Sequence, residues 1–477
     1  MIEWVATSQE TQGDNRSMPG AIAVVLSLVM LMAIAYRGLP VIVFAPVCAG
    51  VALALAGEPV LPGYTEWFMT GAADYARAFF PIFLLGAIFG KLMEASGAAA
   101  SIAGAIVRAF GPRRAIPAVV FACAALTYGG VSLFVVAFAV YPFGAALFKA
   151  AKIPKRLLPG AIALGAFTLT MDALPGTPQI QNLIPTRTFG TDIYAAPVLG
   201  CLGGGAILLG GLAWLERRRK AAEKAGEGYG EGHSNEPEAG ADRELPGLAV
   251  ALLPLLLVMT VNFVASRTSW SIAGWYSEAA LRAAFPTLNI RAAAPTWALI
   301  AALLTGIAAT LALNARRLRG TFSSSLSVAT SGALLAIFNT ASEVGYGSVI
   351  KMLPGFQVIR DSVFNLSQSV LVSEAVAVNV LSGITGSASG GLSIALEMMG
   401  DHYLEAAGAQ GISPEWLHRI ASMASGGMDT LPHNGAVITL LAITGLTHRQ
   451  SYPDIFAITL LKTFTVFALA AGATYWR

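Results

Sequence analysis

Two stretches of this sequence place an aspartate three residues before a proline in otherwise apolar surroundings: Met171-Asp172-Ala173-Leu174-Pro175 and Met428-Asp429-Thr430-Leu431-Pro432. An interior proline removes a backbone donor and crowds the preceding turn, so each stretch reads as a helix broken into two halves. In the first, Gly176, Thr177 and Pro178 lead on to Gln179, Gln181 and Asn182; in the second, Pro432 is followed by His433 and Asn434. The ends of half-helices present dipoles and free carbonyls, a chemistry suited to holding a small ion. For a single copy, a plain proline kink with the aspartate capping a helix start is the simpler reading. Duplication in apolar surroundings favours a functional pair, because ionisable groups are costly to keep there.

A second cluster is polar without being charged. Ser382, Gly383, Thr385, Gly386, Ser387, Ser389 and Gly390 lie within an apolar segment. Small residues alone would mean close helix packing. Hydroxyls beside a glycine-rich turn that opens a helix instead suggest donors aimed at an anion. The corresponding turn earlier in the chain, Gly129 and Gly130 beside Thr127, Tyr128 and Ser132, is less polar, so an anion's carboxylate is expected nearer the second turn. Asn339, Thr340 and Glu343 precede that second segment, and with Thr177, Gln179, Thr430 and Asn434 they complete the candidate substrate-binding and coupling set. Among the carboxylates outside the repeated motif, Glu343 ranks first for a buried role, against a pairing with Lys351 or a surface position. Lys91 and Glu94 read as satisfying one another or as snorkelling. His433 changes charge near neutral pH and is a candidate to hold a proton, with a neutral, backbone-bonded histidine as the equal alternative. Asp172, Asp429, His433 and Glu343 are thus the candidate coupling residues. No HExxH, GxSxG, P-loop or CxxC constellation is present, so enzymatic chemistry has no visible residues to run on. Cys48, Cys123 and Cys201 have no paired spacing and imply neither a disulfide framework nor a metal site, and no cofactor is expected.

The elements that must position these groups follow from composition. Of 477 residues, 55% are hydrophobic and 12% charged, and a net charge of +3 gives no basis for nucleic-acid binding. Apolar stretches long enough to cross about 30 Å of hydrocarbon recur along the chain, so a lipid bilayer is its solvent. Basic residues in short loops mark the cytoplasmic side. On that rule the acidic amino terminus lies outside, and the first half crosses at about 20–36, 39–57, 79–110, 157–186 and 190–214, with a re-entrant hairpin at about 117–148. Glu58, Glu66 and Asp74 then fall in an external loop. A charged, Gly-rich linker at 216–246 reads as disordered and cytoplasmic. The second half crosses at 247–265, 292–314, 325–353, 413–446 and 452–475, with a hairpin at about 368–400, and ends outside. The expected fold is an all-α polytopic membrane protein of two inverted-topology repeats, 1–215 and 247–477, each with five crossings, one of them broken, and one re-entrant helical hairpin. The first 18 residues lack the pattern of a cleavable signal, so the first span is expected to direct insertion into a bacterial inner membrane. Inverted repeats with broken helices at the midplane are a feature of secondary transporters.

Three runs carry a resemblance: Phe338-Asn339-Thr340-Ala341-Ser342-Glu343-Val344-Gly345-Tyr346-Gly347, the segment from Glu374 to Glu397 through Ser382-Gly383-Ile384-Thr385-Gly386-Ser387-Ala388-Ser389-Gly390-Gly391, and Met428-Asp429-Thr430-Leu431-Pro432-His433-Asn434-Gly435. Together they resemble the gluconate permease family of the ion transporter superfamily, and within it the 3-hydroxybutyrate permease branch. The resemblance covers most of the chain, is densest in the second half, and does not extend to the linker at 216–246. It implies proton-coupled uptake of a hydroxy-monocarboxylate, a two-hairpin fold and a homodimer. Gluconate or another sugar acid is the alternative substrate, and sodium the alternative coupling ion. A channel and an intramembrane hydrolase using Asp172 and Asp429 as a pair are the rivals from other classes.

Overall fold

A computed structural model describes residues 20–34, 37, 39–233, 235–236, 244–267, 274–275, 278–286, 290–364, 367–432 and 434–475. These form helices joined by turns and short irregular stretches, with no strand among the described residues. Six helices are long and apolar enough to cross a bilayer, or seven if one sharply bent pair is counted as a span, again among the described residues. The chain is a multi-pass membrane protein. Exposed Val, Leu and Phe side chains are what an apolar solvent requires of such helices.

After α1 (Gly20–Ile34) and α2 (Val41–Ala56), α3 runs unbroken from Val60 to Ala95, with a π-helical stretch at Gly63–Phe68. The sequence places Glu66 and Asp74 in a loop; they lie on this helix instead. The reason is spacing: Glu66, Thr70, Asp74 and Arg77 recur every three or four residues and share one face, which borders a cavity rather than lipid. Nor does one crossing extend over 79–110. Gly97, at φ 79°, ends the run and starts α4 (Ala98–Phe110). The chain then bends by 101° into α5 (Ala115–Tyr128). With α6 (Leu133–Ala150), α5 forms the first helical hairpin, its tip at residues 129–132 and Gly130 at φ 91°.

The first interrupted helix follows as α7 (Leu158–Ala166), a π-helical turn at Leu169–Ala173, and α8 (Ile180–Phe189). Next, α9 spans Pro197–Lys224. The sequence starts an unstructured linker at 216, but the helix continues for two more turns because Arg219 pairs with Glu216 at 2.6 Å and Glu223 at 2.9 Å, spacings that support a helix. The second part of the chain follows. It comprises α10 (Leu248–Arg267), a short α11 (Glu278–Ala284), α12 (Ile290–Leu318), α13 (Phe322–Met352), α14 (Phe356–Phe364), the hairpin of α15 (Val370–Thr385) and α16 (Ala388–Gln410), the interrupted α17 (Pro414–Ser425) and α18 (Gly435–Thr444), and α19 (His448–Tyr475).

Packing places the two parts face to face. The longest contact joins α3 to α13. The second arm of the first hairpin, α6, packs on α18, and the second arm of the second hairpin, α16, packs on α8. Likewise α7 meets α19 where α17 meets α9, and α9 touches α5 where α19 touches α15. Small residues allow the close approaches. A methyl on Gly165 would run into the Val120 carbonyl, and one on Gly391 would overlap Ser382 in the opposite hairpin arm.

Candidate functional site

Each interrupted helix is clasped to the tip of its neighbouring hairpin by an amide. Gln179, just before α8, donates from Nε2 to the Thr127 carbonyl at 2.8 Å, and the Tyr128 hydroxyl donates to the Pro175 carbonyl at 2.8 Å. Asn434, just before α18, donates from Nδ2 to the Gly386 carbonyl at 2.6 Å while its Oδ1 accepts from Ala436 N and Val437 N, capping the half-helix. The proline-rich breaks free backbone groups, and these side chains use them to fix the joint against the hairpin. Within the first break, Thr177 donates to the Thr170 carbonyl at 2.7 Å, and Asn182 Nδ2 reaches the Thr177 and Ile193 carbonyls.

Around the joints lie charges that apolar burial would ordinarily forbid. Asp172, fully buried on the π-helical turn, forms an ion pair with Lys462 of α19, which is also fully buried. The same lysine lies within electrostatic reach of Asp429 in the second break. Asp172 Oδ1 and Asp429 Oδ1 are both buried with no hydrogen-bond partner. Gly426 is the only residue type that fits beside this group, since a methyl there would overlap both Lys462 Nζ and Asp172 Oδ2. Arg419, on α17, is the largest fully buried side chain among the described residues. It stitches the first break shut, donating to the Ala195 carbonyl at 2.8 Å, the Ile193 carbonyl at 3.1 Å and Asn182 Oδ1 at 2.9 Å. Its neighbour His418 bridges Thr191 and Asn182.

At the second hairpin tip, Gly386 turns at φ 65° and Ser387 caps α16, accepting from Gly390 N at 3.1 Å. Ser389 is 3.4 Å from Ser387, and Thr385 is held by main-chain carbonyls, including that of Ser387. Ser382 Oγ is buried and free of partners, and Gly383 packs on Met428. Glu343 of α13 is buried against Gly390, with Oε2 unpartnered, so the tip, Glu343 and the second break form one neighbourhood. Lys351 pairs with Asp401 at 3.8 Å rather than with Glu343. Lys91 and Glu94 do pair, at 2.7 Å. Thr430 hydrogen-bonds Thr459 of α19.

Not every residue singled out in the sequence joins this group. Asn339 lies one turn along α13 from Glu343 and meets α2 instead, its Oδ1 accepting from Ile42 N at 3.2 Å at the start of that helix, where Ser342 binds the Ile42 carbonyl. Thr340 returns its hydroxyl to the Ala336 carbonyl of its own helix. Gly129 and Gly130 shape the first tip, with Leu255 and Pro178 packed against them. His433 lies outside the described residues. Sequence reasoning missed Lys462 and Arg419. The signal was present, as Lys462 is a lone base in the apolar run from Phe456 to Ala471, the kind of residue that marks function inside a membrane.

A cavity of about 500 Å3 opens between α3, α8, α13 and α16. Its wall includes Arg187 and Phe79, and Tyr75, Val344 and Ser393 form its inner end near Glu343.

Interrupted helices clasped by hairpins, buried charge at the joints and a stack of apolar helices define a polytopic membrane transporter. Residues 19–381 match the model of the GntP family permeases, and the chain belongs to that family. It is 52% identical over 462 residues to an uncharacterized transporter, YxjC, of Bacillus subtilis (strain 168), covering 94% of this chain and 98% of that one. Its fold is similar to that of the Alcanivorax borkumensis YdaH transporter, with a TM-score of 0.50 at 18% identity over 86% of this chain and 87% of the other.

Proposed function

We propose that this protein is a secondary carrier importing a small hydroxy-monocarboxylate, 3-hydroxybutyrate first among candidates, by proton symport and alternating access between two inverted repeats. The observation that carries the reading is the paired clasp: Gln179 and Asn434 tie each broken helix to a hairpin tip, beside buried aspartates that each keep one oxygen without a hydrogen-bond partner. The repeated Met-Asp-x-Leu-Pro motif and the exchange of equivalent helix pairs between the halves support the inverted repeat. Unwound segments at membrane depth are tolerated where they line a site, and substrate at the interface of two repeats is reached from either side by rocking one against the other.

In this reading the substrate carboxylate meets the second tip, where Ser387 and Ser389 offer hydroxyls at the start of α16 and Ser382 offers one from the last turn of α15. Asp172, Asp429 and Glu343 are the coupling carboxylates, with Lys462 holding one aspartate charged while the other exchanges a proton. Coupling to one proton removes a cost. Moving a monovalent anion inward against an inside-negative potential costs about 2.3 kcal/mol per 100 mV, and a proton carried with it cancels that charge. The linker side, rich in Arg and Lys, is cytoplasmic by the same rule that orients the helices. The partner is a second copy of the chain.

Uptake of labelled 3-hydroxybutyrate into proteoliposomes, with gluconate and acetoacetate as competitors, tests the substrate. Inhibition by the short acids alone supports the assignment. Competition by gluconate alone moves the substrate to a sugar acid, and sodium dependence at constant pH replaces the coupling ion.

A further inference from the structure

The cavity between α3, α8, α13 and α16 contains three cations, and their environments differ. Arg77 is 3.1 Å from Asp74, and Lys351 is 3.8 Å from Asp401. Arg187 has no carboxylate within ion-pair distance among the described residues. Its guanidinium lies over the Phe79 ring, 5.8 Å from the centroid, which holds the plane while leaving the donor fork available to the cavity. Arg187 sits in the last turn of α8, which Gly190 ends at φ 64°. It therefore stands on the same half-helix that Gln179 clasps to the first hairpin, about 12 Å along the axis at 1.5 Å per residue.

At the inner end of the cavity the Tyr75 hydroxyl and Ser393 Oγ are both buried and lie near one another, without a well-formed hydrogen bond from either. Buried hydroxyls left unpaired are costly, and a ligand hydroxyl would satisfy them. A planar cation at one end and neutral hydroxyls at the other match a molecule with one carboxylate and one or more alcohol groups. A volume of about 500 Å3 lies in the range of small-molecule sites. The other charges facing the cavity set a limit. Glu397 and Asp401 of α16, with Glu66 and Asp74 of α3, would repel a second carboxylate.

We propose that Arg187, Tyr75 and Ser393 form a capture site for hydroxy-monocarboxylates, in which Arg187 takes the carboxylate as a bidentate ligand before the acid moves to the hairpin tip. The proposal rests on the reading of the chain as a hydroxy-acid carrier and adds the residue that selects monoanions. Glu343, behind Tyr75, then lies at the boundary between the capture site and the tip.

The test combines proteoliposome uptake with thermal stabilisation of the purified full-length protein, using D-3-hydroxybutyrate and gluconate as probes and succinate as competitor. Arg187→Gln is expected to raise KM for the transported acid by about tenfold or more and leave kcat nearly unchanged, the signature of lost binding shared by ground and transition states. It should also remove the stabilisation by that acid. Arg187→Lys keeps the charge without the fork and should fall between the two. Succinate should not compete. A KM for Arg187→Gln within about twofold of the parent overturns the capture site while the carrier reading stands. If that variant fails to fold, Arg187→Lys decides, and a KM equal to the parent's overturns the bidentate role. Competition by succinate as strong as by the monocarboxylates overturns the selectivity. A parent protein that neither transports nor is stabilised by either probe overturns the carrier reading itself, and the capture site with it.

Discussion

Replacing Lys462 with methionine removes one member of an ion pair whose side chains are both 0% exposed. The structure fixes the scale of the effect. Asp172 would keep a buried carboxylate whose Oδ1 already has no partner, and among the described residues Lys462 is the cation that pairs with that carboxylate, Arg419 reaching only the Asp172 main-chain carbonyl. Removing one partner of such a pair costs about 3–5 kcal/mol, whereas replacing both with neutral groups of similar volume is near neutral. Lys462→Met should therefore destabilise the folded protein by that amount. The double variant Lys462→Met with Asp172→Asn should regain most of it, giving a coupling energy of at least about 3 kcal/mol in a double-mutant cycle. Unfolding of the four proteins in mixed micelles measures the cycle, and size-exclusion profiles confirm that each is folded beforehand. Additive losses, with the double variant as unstable as the sum of the singles, would refute the account of this pair. Uptake by the double variant adds a second readout. If the pair serves only stability, the rescued protein transports normally; if it serves coupling, the rescued protein folds but uptake no longer follows the pH gradient.

The remaining predictions concern the clasps, the second break and the linker. Gln179→Leu and Asn434→Leu each delete an amide donor to a hairpin tip, and each should lower kcat about tenfold or more in uptake assays with the protein still inserted; wild-type kcat in both would dismiss the clasps. Gly390→Ala places a methyl on Glu343 and should cost about 1–3 kcal/mol as overpacking, read by thermal unfolding and relieved in Gly390→Ala with Glu343→Ala; no relief would mean the two do not touch. Asp429→Asn and Ser387→Ala should impair uptake without loss of membrane insertion, and normal transport by both would remove the tip and the second break from the site. Outside the membrane, hydrogen bonds from Arg156 at 2.7 and 2.8 Å hold the Glu227 carboxyl below its ordinary value of 4.5. A lowered folded-state value adds stability above pH 4.5 that is lost as pH falls through it, so Glu227→Gln should be less stable than the parent at neutral pH and converge with it in acid, as pH-dependent unfolding would show.

Much of the architecture was legible because membrane helices follow length and hydropathy. Helix pairs at 115–128 and 133–150, and at 370–385 and 388–410, part at glycine-containing turns, and both interruptions fall at the proline motifs. What misled was charge read as a loop marker. Glu66 and Asp74 sit on a helix whose polar face borders a cavity, and the basic run Arg217, Arg218, Arg219 continues α9 instead of ending it. Arg218 there donates to the buried Asp454 of α19, a long-range bond that no local pattern reveals. The same limit applies at the site. The Met-Asp-x-Leu-Pro repeat pointed to Asp172 and Asp429, but their lysine lies 290 residues from Asp172 in sequence and only the packing of α19 brings it there. Asn339, in a motif next to Glu343, reads as part of the same site, yet an offset of four positions places it one turn along α13, where the start of α2 and not the hairpin is its neighbour. Arg187 drew no attention because it resembles any charge at a helix end, and its meaning depends on the cavity that three other helices complete.

The central claim, proton-coupled uptake of a hydroxy-monocarboxylate, is tested most directly by concentrative transport in proteoliposomes with a one-unit acid-outside pH gradient, no sodium and clamped membrane potential. The account predicts accumulation of labelled 3-hydroxybutyrate approaching about tenfold over the outside concentration, collapsing when a protonophore dissipates the gradient, as one proton per anion requires. Equilibration without accumulation would mean a passive pore, and accumulation appearing only with a sodium gradient would contradict proton coupling.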